Sequence, residues 1–163
     1  ALQAITREYV LRQRTTRPVH SWKPARKPER QSRRAAYETV GQVMHRDLKT
    51  VQEEDAVRLA EALMRWEGIR HIPVENAEGE LVGLVTLSEL LEAPKAGKSV
   101  SDIHIGDIMR RDVRTVSAST RTLDAIQTMR DEKLSCLPVV REGKLIGMLT
   151  GADFLVVAKR LLE

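Results

Sequence analysis

Two short stretches set a hydroxyl and a carboxylate three residues apart: Thr150 and Asp153 in GMLTGAD, at 147–153, and Thr86 and Glu89 in GLVTLSE, at 83–89. Each pair follows an apolar run and precedes a helical pattern, so it sits where a strand gives way to a helix. There a threonine hydroxyl can cap the helix or bond a ligand, and the free backbone N–H groups favour an anion. A carboxylate three residues on can accept hydrogen bonds from two neighbouring hydroxyls of a ligand. The alternative is that Thr150 and Asp153 only start a helix, with the acid favoured in its first turn by the helix dipole. In the earlier stretch Glu89 is one methylene longer, which moves its carboxylate by roughly 1.5 Å and weakens its grip on the same hydroxyls.

No arrangement for catalysis stands beside these motifs. Cys136 is the single cysteine, so there is no internal disulfide and no CxxC site. Its neighbours, LSCLPVV, suggest burial and a packing role. His20, His45, His71 and His104 show no spacing that pairs one with a nucleophile. With no paired carboxylates, Ser–His–Asp set or metal-ligand spacing, the chain is expected not to be an enzyme and to hold no catalytic residue or metal.

The elements that must position the motifs come twice. Met44 matches Met109, Thr50-Val51 matches Thr115-Val116, Ala60 matches Ala125, Met64 matches Met129, and Pro73-Val74 matches Pro138-Val139, each 65 residues apart. Gly83 and Gly147, and Thr86 and Thr150, are 64 apart, so one residue is lost between HIPVENAEGELVG and CLPVVREGKLIG. Both segments read as hairpins, whose loops tolerate such a change. Each block resolves into a short extended piece (LKTV, VRTV), a helix (EEDAVRLAEALMRWEG, STRTLDAIQTMRDEK), two strands and a closing helix. Val57, Ala60 and Met64, answered by Thr122, Ala125 and Met129, fall at helical steps and are expected in the core. The fold class is therefore α/β (α+β): two β-α-β-β-α repeats packed about a pseudo-twofold axis.

The 163 residues carry a net charge of +4, unevenly spread. Residues 1–40 hold ten Lys or Arg against three acids, a balance of +7, whereas the remainder holds 17 against 20, a balance of −3. Residues 1–34 read as a basic arm or linker interrupted by Pro18, Pro24 and Pro28, with a short amphipathic helix carried by Leu2, Ile5 and Tyr9. The blocks follow at 35–92 and 103–163, joined by a linker at 93–102. No apolar run is long enough to span a bilayer and no secretory signal stands at the start, so membrane insertion is not expected and the chain is read as cytoplasmic.

The repeat resembles the tandem cystathionine-β-synthase (CBS) domain pair, or Bateman module. The resemblance rests on VGQVMHRDLKTV and IGDIMRRDVRTV, on IRHIPV and LSCLPV, and on GLVTLSE and GMLTGAD, in the same order in both blocks. It implies a regulatory module that binds adenosine-containing ligands (AMP, ADP, ATP or S-adenosylmethionine) between the repeats, requires no cofactor, pairs into disc-like dimers, and serves an enzyme or transporter in cis or in trans. It also implies that each cleft takes its ribose contacts from one repeat and its adenine-lining surface from the other. The main cleft is then Thr150 and Asp153 facing Thr50, Val51, Ile69, Arg70 and His71. The weaker one is Thr86 and Glu89 facing Thr115, Val116, Ser135 and Cys136. Arg70 and His71 are suited to phosphate, and His45, Arg46, Arg110 and Arg111 are further candidates, unless Asp47 and Asp112 pair with them locally. The alternatives are a ligand-free dimerisation scaffold and a nucleic-acid binder using the basic arm, with Trp22 and Tyr9 stacking on bases; Pro-interrupted basic segments usually serve as solvated linkers, which weighs against the latter.

Overall fold

A computed structural model of the protein describes residues 35–93 and 103–162. The chain divides after Ala35 into a leading unit and a second unit, Ala36–Glu163, which holds both blocks. The expected helix and basic arm at 1–34, and most of the linker at 93–102, lie outside the described residues.

The elements run α1 (Val40–Val43), α2 (Val57–Glu67), β1 (His71–Glu75), β2 (Leu81–Thr86), α3 (Leu87–Glu92), α4 (Ile105–Ile108), α5 (Thr122–Asp131), β3 (Cys136–Arg141), β4 (Lys144–Thr150) and α6 (Gly151–Leu162). β1 pairs antiparallel with β2 and β3 with β4, and the register sets His71 opposite Thr86 and Cys136 opposite Thr150. The LKTV and VRTV pieces add parallel bridges, Val51 to Val74 and Val116 to Val139. The strands read as continuous apolar runs because both of their faces are covered. The second hairpin turns through Glu142 and Gly143, both at positive φ (53° and 79°), as a two-residue hairpin requires.

The two long helices bury the expected stripes: Val57, Ala60 and Met64 in α2, and Thr122, Ala125 and Met129 in α5. They start later than the pattern suggests, because the backbone just before α2 is engaged elsewhere. Glu53 and Asp55 carbonyls accept the amides of Gly106 and Ile105, at 2.9 Å each. The end of α2 is set by Gly68, whose φ of 67° is the left-handed conformation that closes a helix cheaply only with glycine.

Packing crosses between the blocks. Val40 and Met44, from the first, join Ala125, Met129, Leu137, Val139 and Leu149 of the second, whereas Ile103, Ile105 and Met109 join the core built on Val57, Ile72 and Val85. The leading turn of each repeat thus belongs to the core of the other. Backbone bonds hold the exchange: Val40 and Gly41 amides to the Thr120 and Ala118 carbonyls, and Thr122 to Glu38, all within 2.9 Å. The glycines that open the two motifs have their reason here. A Cβ on Gly147 would overlap the Met44 thioether, and one on Gly83 would overlap that of Met109.

Candidate functional site

Each exchanged segment continues into a single antiparallel bridge with the opposite repeat. His45 and Met148 exchange both of their backbone hydrogen bonds (3.1 and 3.0 Å), and Arg110 and Leu84 do the same (2.9 and 3.0 Å). His45 is thereby laid beside the end of β4, and Arg110 beside the end of β2. This crossing decides which side chain faces which acid.

At the end of β4, Asp153 Oδ2 accepts the Thr150 amide at 2.7 Å and the Thr150 hydroxyl at 2.8 Å. The acid in the first turn reaching back to the residue before the helix is a capping-box arrangement. It fixes the carboxylate without exhausting it. His45 Nδ1 lies 3.1 Å from both carboxylate oxygens. Thr150 and Asp153 therefore start α6 and at the same time present an acceptor beside a cleft.

That cleft has a volume of about 660 Å³, inside the range of small-molecule sites. One wall comes from the second repeat, with Ser135, Met148 and Thr150 to Asp153; the other comes from the first, with His45 to Lys49 (Arg46 excepted), Glu67 to His71, and Pro73. Of the residues expected in the main cleft, Ile69, Arg70, His71, Thr150 and Asp153 line it together. Thr50 and Val51 do not: Val51 is spent in the core, 3% exposed, with its amide on the Pro73 carbonyl. Leu48, Lys49 and Met148 take their place. Their signal was in the repeat, since Val113, Arg114 and Leu84 at the matched positions keep the same apolar and basic types.

The residues expected in the weaker cleft are distributed differently. Glu89 accepts the Thr86 amide at 2.8 Å and the Thr86 hydroxyl, and Arg110 Nε donates to its other oxygen. Burial acts to raise the Glu89 pKa, but the bonds from Thr86 and Arg110 together outweigh it and hold the carboxyl below its ordinary value. Thr115 is half-buried and Val116 packs at the margin of the second core. Cys136 is buried against Leu84 and Met148, and that burial pushes its thiol up to about 11, so it stays protonated. Ser135 lines the main cleft as well: its Oγ lies 2.7 Å from His71 Nε2, tying the strand entries of the two repeats together. Burial, then the charge of Arg70, lowers the His71 pKa against the opposing pull of Glu89.

The phosphate candidates separate by partner. His45 lines the main cleft; Arg110 is on Glu89; Arg111 makes two 3.0 Å bonds to Glu53; Arg46 donates to the Gly41 carbonyl at 3.4 Å. None of these bonds is to Asp47 or Asp112, and Asp47 pairs instead with Lys49 at 3.2 Å. Among the described residues no His, Cys, Asp or Glu cluster could hold a metal ion, and no helix is long and apolar enough to cross a membrane.

Comparison with known proteins identifies the family and the fold. The family profile described as CBS domain matches twice, at residues 40–96 and 105–160. The solved structure of CBSX2 in complex with AMP, a protein of Arabidopsis thaliana, superposes with a TM-score of 0.69 at 30% identity, covering 77% of this chain and 99% of that one. Among curated proteins, an inosine-5'-monophosphate dehydrogenase of Thermoplasma acidophilum is 31% identical over 142 residues, 86% of this chain and 27% of the relative. A homoserine O-acetyltransferase of Methanococcus vannielii is 30% identical over 115 residues, 70% of this chain and 23% of the relative. The chain thus spans about a quarter of the length of either enzyme.

Proposed function

The chain belongs to the CBS domain family, of which it carries two copies, and on that premise we propose that it is a regulatory module whose main cleft takes an adenine nucleotide. The observation that carries the reading is the Asp153 carboxylate, fixed by Thr150 at the rim of a cleft whose opposite wall is Ile69–Arg70–His71. A ribose diol bonds to Asp153 in place of His45. The adenine lies over the apolar floor of Leu48, Pro73 and Met148, and the phosphate meets the cations of the first repeat. The AMP complex of CBSX2 supports the same ligand class.

Charge favours a nucleotide with few phosphates. Lys49 and Arg70 are the fixed cations in the lining, Lys49 is shared with Asp47, and Glu67 adds a further acid. AMP is matched better than ATP, which fits a sensor of cellular energy state. Catalysis belongs to the protein it regulates, attached or associated, as the partial matches to two enzymes suggest. Occupancy of the cleft can act on such a partner only through differential affinity for two arrangements of the repeats.

A melting experiment tests the reading. AMP at about 100 times its Kd adds about 2.7 kcal/mol of stability, which for a domain of this size raises Tm by roughly 5 to 10 °C. Asp153→Ala is expected to lose most of that rise. An unchanged Tm across the AMP series in the wild type rejects the nucleotide in favour of a ligand-free scaffold.

A further inference from the structure

The two strand-to-helix motifs share their backbone arrangement but differ in the acid, Asp153 or Glu89, and in the side chain delivered to it. Both acids accept the amide and hydroxyl of their threonine. Both are approached by a residue from the exchanged segment, His45 or Arg110, which occupy equivalent places in the repeat and make equivalent backbone pairs, with Met148 and Leu84. The difference lies in strength. At Asp153 a single imidazole nitrogen is shared at 3.1 Å between both oxygens, and the charge of histidine is conditional. At Glu89 a guanidinium, whose charge is permanent, directs Nε at the oxygen that Thr86 leaves free.

We propose that Arg110 is a built-in occupant of the second site that the repeat implies, taking up the Glu89 carboxylate that a ribose diol would need there, so that the chain binds adenine nucleotide at one site rather than two. The proposal rests on the nucleotide reading of the main cleft. Glu89 and Asp153 are about equally buried, with 14% and 13% of the side chain exposed, so access does not separate them; at Glu89 a neutral hydroxyl would have to displace a charge-assisted bond. Arg110 also lies near enough to Cys136 for its charge to act on the thiol, which puts the guanidinium beside the strand entry that matches His71 of the main cleft. Arg110 is absent from the lining of the main cleft. Its role is therefore to close one cleft, not to hold phosphate in the other.

The test is the stoichiometry of AMP binding by titration calorimetry. The wild type is expected to bind one AMP per chain, and Asp153→Asn to weaken that site at least about tenfold. Arg110→His with Glu89→Asp rebuilds the pair of the main cleft in the second, and is expected to bind two AMP; combined with Asp153→Asn it keeps the new site alone. Should the double variant fail to give a cooperative melt, Arg110→Gln opens the cleft without rebuilding it. Two sites in the wild type, or no added site in any folded Arg110 variant, overturns the occupant while leaving the nucleotide reading of the main cleft intact. An AMP site in the Arg110 variants with none in the wild type supports the occupant and rejects the main-cleft reading. No AMP bound by any of these proteins overturns both.

Discussion

His71 holds the strand entries of the two repeats together through Ser135, 2.7 Å away, and does so as a partly buried imidazole beside Arg70. Burial and then the neighbouring cation depress its pKa, so as pH falls the unfolded chain takes up this proton first. The stability His71 contributes is complete above its ordinary value of 6.5 and is lost as pH falls through that value toward the folded one. Tm should therefore drop between about pH 7.5 and 5.5, and His71→Gln should flatten the drop; an identical slope in the variant contradicts the assignment. Glu89, also depressed, gives its full contribution above 4.5 and loses it only as pH falls below that value, which leaves the window clear. At this scale the sequence named the acids, the threonines and the basic candidates, but not which cation meets which acid. Along the chain, phosphate contact by at least one of the four is the favoured reading and local pairing with Asp47 or Asp112 the alternative. The observed partners, Asp153, Glu89 and Glu53, lie 108, 21 and 58 residues away.

The helices show how far periodicity carries. Val57, Ala60, Met64 and their mates were legible as a buried stripe, because a 3.6-residue period identifies the face that leaves water. It does not identify what that face meets, so the exchange of α1 and α4 between repeats was not legible, nor was the late start of α2 that follows from it. The match between repeats also marks a flaw in α5. Thr122 stands where the first repeat has Val57, is 7% exposed, and its hydroxyl has no hydrogen-bond partner among the described residues. Thr122→Val should stabilise the fold by about 1 kcal/mol, since it removes an unsatisfied buried hydroxyl at constant shape. Chemical denaturation measures it, and a lower stability would show that the hydroxyl is satisfied. In the opposite direction, Gly147→Ala drives a methyl into the Met44 thioether and should cost about 1–3 kcal/mol, with Met44 the first side chain to shift in a structure of the variant.

For the whole molecule, the surface left by this packing is unevenly apolar. α6 buries none of its residues completely, although it carries Leu155 (73% exposed), Val156, Leu161 and Leu162, and Trp66 on α2 is 74% exposed. Apolar helical faces of this kind fit an interface between two copies. Sedimentation should give the mass of a dimer, and Trp66→Glu with Leu155→Glu should return it to one chain; an unaltered mass in the variant places the contact elsewhere. Within one chain, the central claim is that a duplicated fold takes an adenine nucleotide at one of its two strand-to-helix motifs, with Asp153 as the ribose acceptor. Titration of AMP into the wild type and into Asp153→Ala tests it most directly. The account predicts binding to the wild type and a loss of at least about tenfold in the variant, whereas equal affinity in the two proteins would contradict it.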